Sequence, residues 1–246
     1  MTQVIQFGNR AITEAEILPL LAGYQMLPHL WRELIIDQAI ASIECTPEEK
    51  ATAYNQFDAK NQIFTPASRQ TWASRYRMTP EQLEALATRE LRISKFKQIT
   101  WGSKLESYFL SNKSQLDKVV YSVIRTKDPG VAQELYFRIQ AGEQSFAEVA
   151  REYSQGPEAH TCGLLGPVEL SMPHPALAKI LSISQPGQIW PPNRLGEWLV
   201  IVRLEKLIPA QLNELMRQQL LNRLFEAWLS EQLNQLIPKM HCVVNN

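Results

Sequence analysis

The feature that most constrains this chain is a long helical pattern near its C-terminus. Pro209 opens a stretch that contains no further Pro or Gly before Pro238. Apolar side chains recur through it at helical spacing, which predicts one long helix with a wide apolar face. These side chains are Leu212, Leu215, Met216, Leu220, Phe225, Trp228, Leu229, Leu233 and Leu236. Because large apolar surfaces in a soluble protein are normally covered, this helix must pack on another helical group, and the nearest candidate is the N-terminal part of the chain.

The N-terminal part carries several helix-start signals. Thr13 and Glu16 have the spacing of a capping box, in which a hydroxyl and a carboxylate satisfy backbone donors at a helix start. Three further starts place a capping Thr directly before a Pro, whose fixed φ suits the first helical position. These pairs are Thr46-Pro47, Thr65-Pro66 and Thr79-Pro80. We therefore predict that residues 1–116 form several helices with no sheet of their own, and that residues 208–246 complete one discontinuous all-α domain with them.

Residues 117–207 have a different pattern, which predicts a separate α+β unit. Short β-branched runs alternate with helical segments that begin at capping residues. The predicted order is β-α-α-β-α-β-β, a domain of ordinary size. The predicted elements are a strand at Val119–Ile124, helices that start at Asp128-Pro129, Ser145 and Pro175, a strand near Pro167–Leu170, and two strands, Gly187–Trp190 and Glu197–Leu204, joined across Pro191–Arg194.

Charge and composition exclude some functions. Lys plus Arg and Asp plus Glu each number 25, so the formal net charge is zero. Nucleic-acid binding usually needs a basic excess that neutralises phosphates, so no nucleic-acid partner is predicted. No segment approaches the roughly 20 apolar residues that span a bilayer, so no integral membrane segment is predicted.

The cellular location is predicted from the chain start and the cysteines. The first residues lack the basic stretch and long apolar run of a secretory signal. Cys45, Cys162 and Cys242 are odd in number and widely separated, which indicates reduced thiols rather than a disulfide framework. Both observations favour a cytoplasmic protein.

The middle segment resembles the parvulin (PpiC/rotamase) family of peptidyl-prolyl cis–trans isomerases. The phrases that match in order are VVYSVIRT, AGEQSFAEVAREYS, CGLLG, MPHPALAKIL and QPGQIWPPNRLGEWLVIVRLE. The resemblance implies an α+β parvulin-like domain with a four-stranded antiparallel sheet. The flanking helical segments, including FEAWL in the last one, are similar to those of SurA-type chaperones, in which N-terminal helices and a C-terminal helix form one module.

The resemblance also implies a site for a prolyl peptide. The apolar pocket for the proline ring would be formed by Leu165, Met172 and Leu177, with Ala176 as the alternative to Leu177 because the spacing from Met172 is one residue longer than in the family. All of them could instead be ordinary core residues. Rotation about the X-Pro bond requires no covalent step, no metal and no cofactor.

The polar residues of the family site are missing from the matching positions. The family usually has a His on the first strand, a Cys or Asp in the loop after Tyr-Ser, and a His on the last strand. These places correspond here to Ser122, Gly156 and Trp198, none of which is ionisable. Trp198 could offer a flat surface to a bound peptide or be a core or interface aromatic.

His160, Cys162 and His174 lie near this region. They could form a replacement catalytic dyad or bind zinc, but their spacing matches no known pattern and favours an incidental role.

Two functions fit this sequence best. The first is a peptidyl-prolyl isomerase of low turnover that acts on protein clients. The second is a holdase-like chaperone or adaptor that binds unfolded, proline-containing or pre-export polypeptides through a catalytically degenerate domain. A secretion apparatus at the inner face of the membrane is a further candidate partner. A purely structural scaffold is the third reading, and it would need the pocket to be filled by the protein's own side chains.

Overall fold

The computed structural model describes residues 4–240 of the 246-residue chain. Cys242 therefore lies outside the described residues, as does the end of the predicted C-terminal segment. The chain divides into two compact units: the first contains the elements up to Leu105 and the chain from Arg217 onward, and the second runs from Glu106 to Met216. Within the described part, no helix is long and apolar enough to cross a membrane.

The first unit begins with a small sheet, which corrects the prediction that residues 1–116 contain none. Strands β1 (Val4–Phe7) and β2 (Arg10–Thr13) pair in antiparallel register, with Phe7 opposite Arg10. The connection is the two-residue turn Gly8-Asn9, and Gly8 has a φ of +56°. A Gly-Asn pair between two short alternating runs is a hairpin signal. The sequence contained this signal, but the prediction gave weight only to the capping box that follows it.

Four helices of the first unit begin where their capping residues predict, whereas the helix Leu27–Ile40 begins after Met26 without a side-chain cap. At α3 (Pro47–Lys60), for example, Thr46 Oγ1 accepts a hydrogen bond from the Glu49 backbone N–H, and the Glu49 carboxylate accepts one from the Thr46 backbone N–H. Each Thr-Pro pair stands at a helix start, so these three starts are confirmed. The helices are α1 (Glu14–Gly23), α2 (Leu27–Ile40), α3 (Pro47–Lys60), α4 (Pro66–Arg75) and α5 (Pro80–Trp101).

The C-terminal helix, here called α10 (Glu214–Met240), packs on the helices of the first unit. Phe225 and Leu229 are buried in one cluster with Ile35, Ile36 and Ile40 of α2. The helix begins at Glu214, six residues after the start of the predicted segment 208–246. Asn213 caps the helix, because its side-chain oxygen accepts a hydrogen bond from the Met216 N–H. The apolar face of α10 is thus buried against α2, which lies far from it in the sequence.

The second unit is built around a four-stranded antiparallel sheet with the order β4-β3-β6-β5. This arrangement confirms the predicted fold class and the order β-α-α-β-α-β-β. A further helix, α6, precedes the sheet. The elements are α6 (Leu105–Leu116), β3 (Lys118–Thr126), α7 (Pro129–Gln140), α8 (Phe146–Tyr153), β4 (Leu164–Glu169), α9 (Pro175–Ile183), β5 (Ile189–Leu195) and β6 (Trp198–Ile208).

Each face of this sheet buries its own apolar cluster, because alternate residues of a strand point to opposite sides. On the face covered by α9, Tyr121 and Val123 of β3 lie with Val200 and Val202 of β6. On the face covered by α7 and α8, Ile124 packs in a second cluster with Phe146, Val149 and Ile201 among others. We refer to these as the α9 face and the α7–α8 face.

Two predicted strand positions are corrected. The strand predicted near Pro167–Leu170 is β4, which begins three residues earlier at Leu164. The segment Pro191–Arg194, predicted as the connection between the last two strands, lies inside β5, and the turn falls at Gly196, which has a φ of +62°. Prolines are compatible with this strand because β5 is at the edge of the sheet and its pairing with β6 shifts register between Trp190 and Asn193.

Candidate functional site

The α9 face brings together three of the predicted binding residues. Leu165 on β4 lies opposite Tyr121 in the strand register. Leu165 and Trp198 are half-buried and pack at the margin of the α9-face cluster, and Leu177 is inside it with 7% of its surface exposed. The assignment of these residues to a proline pocket stays a prediction, and Leu177 is in addition a core residue of the domain.

The other two predicted pocket residues lie at the surface. Met172 follows β4 and has 74% of its surface exposed. Ala176, the alternative to Leu177, is exposed on the first turn of α9, whereas Leu177 points inward. Met172 is accessible to a ligand, but in this structure it does not belong to the α9-face cluster.

Ser122 does not share a face with Trp198. Its hydroxyl, almost fully buried, donates a hydrogen bond of 2.5 Å to Oε1 of Glu205. The same oxygen accepts from Arg203 Nε at 2.8 Å, and the Arg203 guanidinium lies 4.9 Å from the centre of the Phe146 ring on the α7–α8 face. Ser122 and Trp198, the predicted places of the two family histidines, therefore cannot act on one ligand. A shift of one residue along a strand moves a side chain to the other face, and the α9-face positions of β3 are Tyr121 and Val123.

The loop after α8 contains an ionisable centre that the sequence reasoning missed. Glu158 is 98% buried and its Oε1 accepts hydrogen bonds from Arg125 Nε at 2.8 Å and from Ser154 Oγ at 2.5 Å. Its Oε2 lies 2.7 Å from Arg125 Nη2 as an ion-pair partner, but it accepts no hydrogen bond from the described residues. None of the three predicted positions is ionisable, but Glu158 and Arg125 supply charged groups beside them.

Gly156 explains how this carboxylate fits. A Cβ built on Gly156 would lie 2.5 Å from Arg125 Nε and still closer to Oε2 of Glu158. Such close contacts force a shift, so a side chain at position 156 would move the ends of the Glu158 and Arg125 side chains. Glu158 thus occupies the space beside the position at which the family usually has a Cys or Asp.

Backbone contacts fix this loop against the end of β3. The Arg125 N–H donates to Ser154 Oγ at 3.0 Å, and the Gln155 N–H donates to the Arg125 carbonyl at 2.9 Å. The Arg125 side chain lies on the α9 face, since residues 121, 123 and 125 alternate with Ser122 and Ile124. Burial raises the pKa of the Tyr121 hydroxyl on this face; the Arg125 charge lowers it and the Glu158 charge raises it.

Trp198 is held by charged neighbours. Lys127 Nζ lies 4.7 Å from the centre of the Trp198 ring and 2.8 Å from Oε2 of Glu197. A cation over an indole ring is attracted to the negative face of the ring. One side of Trp198 is therefore covered by Lys127, while the ring also contributes to the margin of the α9-face cluster.

The predicted trio of His160, Cys162 and His174 is not assembled into a recognisable centre. His174 Nδ1 accepts a hydrogen bond from the Ala176 N–H and caps α9. Cys162 has a φ of +52° at the end of the short 3₁₀ turn Pro157–Thr161, and its thiol is free, as is that of Cys45. Among the described residues, no group of three or more His, Cys, Asp or Glu side chains could hold a metal ion.

Comparison with known proteins relates this chain to isomerases and foldases. Residues 126–206 match the Rotamase family, described as the PPIC-type PPIASE domain. The foldase protein PrsA of Halalkalibacterium halodurans is 28% identical over an alignment of 174 residues that covers 63% of this chain and 50% of that protein. The chain thus spans about half the length of this curated relative.

Solved structures add a likeness of fold. A peptidylprolyl isomerase (PrsA) from Bacillus cereus has a TM-score of 0.52 at 16% identity, and the match covers 98% of this chain and 92% of that one. A Campylobacter jejuni structure reported with two SurA-like chaperones, PEB4 and Cj1289, covers 100% of this chain and 99% of that one at 15% identity, with a TM-score of 0.38. The first likeness shows that the chain shares its general fold with PrsA.

Proposed function

We propose that this protein is a peptidyl-prolyl cis–trans isomerase acting on polypeptide clients, because residues 126–206 match the PPIC-type PPIase family. The observation that supports the proposal most directly is the composition of the α9 face. Half-buried apolar side chains, Leu165 and Trp198, share this face with the Arg125–Glu158 ion pair. An apolar surface can bind a proline ring, and a charged hydrogen-bond donor on the same face can stabilise the twisted amide.

The chemistry asked of the site is modest. An X-Pro bond has partial double-bond character, and its rotation faces a barrier of about 20 kcal/mol. A site accelerates rotation when it binds the twisted amide more tightly than either planar form. We propose a low turnover, because no imidazole stands at Ser122, Gly156 or Trp198.

The test is catalysed cis–trans exchange on short X-Pro peptides, measured by NMR. The uncatalysed reaction takes tens to hundreds of seconds, so a weak acceleration is measurable. Leu165→Ala and Met172→Ala are expected to reduce the acceleration. Ile183→Ala is the matched control, because Ile183 is 65% exposed in the same unit and has no predicted role. A folded wild-type protein that gives no acceleration on any peptide would overturn the proposal.

A second function, the holdase, is favoured by the surface of the helical unit. Large apolar side chains there are exposed, for example Phe64 at 88% and Tyr24 at 67%. Exposed apolar surface is a feature of sites that bind unfolded chains. If the Leu165→Ala variant, with its reduced exchange activity, still suppresses the aggregation of a denatured client as well as the wild type does, the two functions are separate.

The same proposal extends to a cellular location and a further partner. The free thiols of Cys45 and Cys162 are compatible with a cytoplasmic protein. Clients about to be exported, and a secretion apparatus that receives them, are the partners proposed for such a location. Cell fractionation tests the compartment, and crosslinking in cells tests the partner. Recovery of a processed form outside the cytosol would contradict both.

A further inference from the structure

The Arg125–Glu158 pair leaves part of the guanidinium free. Nε donates to Oε1 of Glu158, and Nη2 faces Oε2. A guanidinium has five N–H donors in a rigid plane, so both hydrogens of Nη1 have no role in this pair. The Glu158 side chain is 1% exposed, whereas the Arg125 side chain is 32% exposed. The carboxylate is thus enclosed, and the arginine extends from it to the surface.

We propose that Arg125 is the catalytic hydrogen-bond donor of the isomerase and that Glu158 is its positioning residue. This inference rests on the function proposed above and assigns the residue that acts on the amide. It replaces the polar positions expected from the sequence, since Ser122 is on the other sheet face and Gly156 has no side chain. The substrate class is an X-Pro segment bound on the α9 face.

The chemistry follows from what happens to an amide when it twists. In the planar amide the nitrogen lone pair is delocalised into the carbonyl, and the nitrogen is a poor acceptor. In the twisted state the lone pair is localised on the prolyl nitrogen, which then accepts a hydrogen bond. A donor placed beside that nitrogen stabilises the twisted state and not the planar one, so it lowers the barrier. No bond is made or broken and no proton is transferred.

The surroundings of Glu158 suit a positioning role. Its carboxylate meets the guanidinium at two atoms, through the hydrogen bond from Nε to Oε1 and the 2.7 Å ion-pair contact between Nη2 and Oε2. These two contacts fix the direction of Nη1. Ser154 holds the carboxylate in turn, and the Arg125 N–H holds Ser154. Since Gly156 leaves the room for this carboxylate, the loop has the shape that the pair requires. Pre-organisation of this kind is what makes a hydrogen-bond donor effective in catalysis.

The first experiment measures exchange rate and peptide binding separately. Arg125→Lys keeps the charge but loses the planar fork, and Arg151→Lys on the exposed face of α8 is the matched control. We expect Arg125→Lys to lower the catalysed exchange about 100-fold, or to the uncatalysed rate, as loss of a transition-state donor does. The peptide dissociation constant is expected to change less than about threefold, because the lost interaction forms only in the twisted state. Equal catalysis by wild type and Arg125→Lys would overturn the inference and leave the proposed function intact.

Glu158→Gln tests the positioning role. The amide has the shape of the carboxylate but cannot hold the guanidinium by charge, so we expect exchange to fall by about tenfold or more while peptide binding is kept. Glu143→Gln, at an exposed position of the same unit, is its control. An unchanged rate in Glu158→Gln would show that the pair does not position the donor.

A measurement on the unmodified protein covers the case in which a variant does not fold. Arginine side chains labelled with ¹⁵N are observed by NMR while an X-Pro peptide is added. The guanidinium resonances of Arg125 are expected to shift with the same dissociation constant as the peptide signals. Catalysis and binding without any shift at Arg125 would overturn the inference, whereas absence of both catalysis and binding would overturn the proposed function itself.

Discussion

Replacing Leu229 by Ala tests whether α10 is an integral part of the helical unit. Leu229 has 0% of its surface exposed and lies in one cluster with Ile35, Ile36 and Ile40 of α2. Leu→Ala at a buried site costs about 2–5 kcal/mol, and the complete burial of Leu229 places the expected loss at about 3–4 kcal/mol. Leu215→Ala on the same helix is the control, because Leu215 is 68% exposed and surface substitutions change stability by no more than about 0.5 kcal/mol.

Hydrogen exchange with mass spectrometry reports this loss for each unit separately. Some amides of α2 exchange with solvent only when the helical unit opens. In Leu229→Ala these amides should exchange faster, by the factor that corresponds to the lost free energy of unfolding. A factor of ten corresponds to about 1.4 kcal/mol, so the expected acceleration in Leu229→Ala is about 100-fold to 1000-fold. Amides of β3 and β6, in the other unit, should keep their wild-type rates.

The reasoning would be refuted by either of two results. Unchanged exchange in α2 would mean that α10 does not stabilise the N-terminal helices. Equal acceleration in Leu229→Ala and Leu215→Ala would mean that burial of the side chain is not the cause of the effect.

Three further predictions concern single residues. Arg32 lowers the pKa of Glu226. Their exposed ion pair therefore stabilises the fold by at most about 0.5 kcal/mol at pH values above the unfolded-state pKa of Glu226, and this contribution is lost as the pH falls through the lower folded-state pKa. Glu226→Gln should remove this pH dependence from the melting temperature in thermal melts. Gly156→Ala should move the ends of the Glu158 and Arg125 side chains and weaken the hydrogen bonds to the buried carboxylate. We expect a loss of about 1–3 kcal/mol, measured by urea unfolding. Ser122→Ala should cost about 1 kcal/mol in the same unfolding experiment and leave prolyl exchange unchanged, because its side chain is on the α7–α8 face.

Local chemistry made some elements predictable from the sequence. A capping hydroxyl before a Pro is a local helix-start signal, and α3, α4 and α5 begin at such pairs. The order of elements in the second unit could be predicted because several consecutive sequence segments resemble the parvulin family in the same order. The β1–β2 hairpin was missed although its Gly8-Asn9 turn was visible, since strands of four residues give little periodicity.

The site could be predicted only in part, for two physical reasons. A strand alternates with period two, so an error of one residue placed Ser122 on the wrong face while the strand itself was correct. The second reason is that the side chain of one residue can occupy the space in which the side chain of another position would lie. Glu158 lies beside Gly156 because of the 3₁₀ turn at Pro157–Thr161, and no linear pattern shows that the carboxylate returns toward Arg125.

The buried pair bears on the choice between an isomerase and a structural scaffold. Desolvation of Glu158 offsets most of its attraction to Arg125, so such a pair adds little net stability compared with apolar side chains of similar size. A loop that only had to pack against β3 would therefore gain nothing from an enclosed carboxylate at position 158. A buried carboxylate is useful if it fixes a half-exposed guanidinium that acts on a ligand bound on the sheet face of Leu165 and Trp198. The cost of burying Glu158 is thus easier to explain in an active site than in a scaffold.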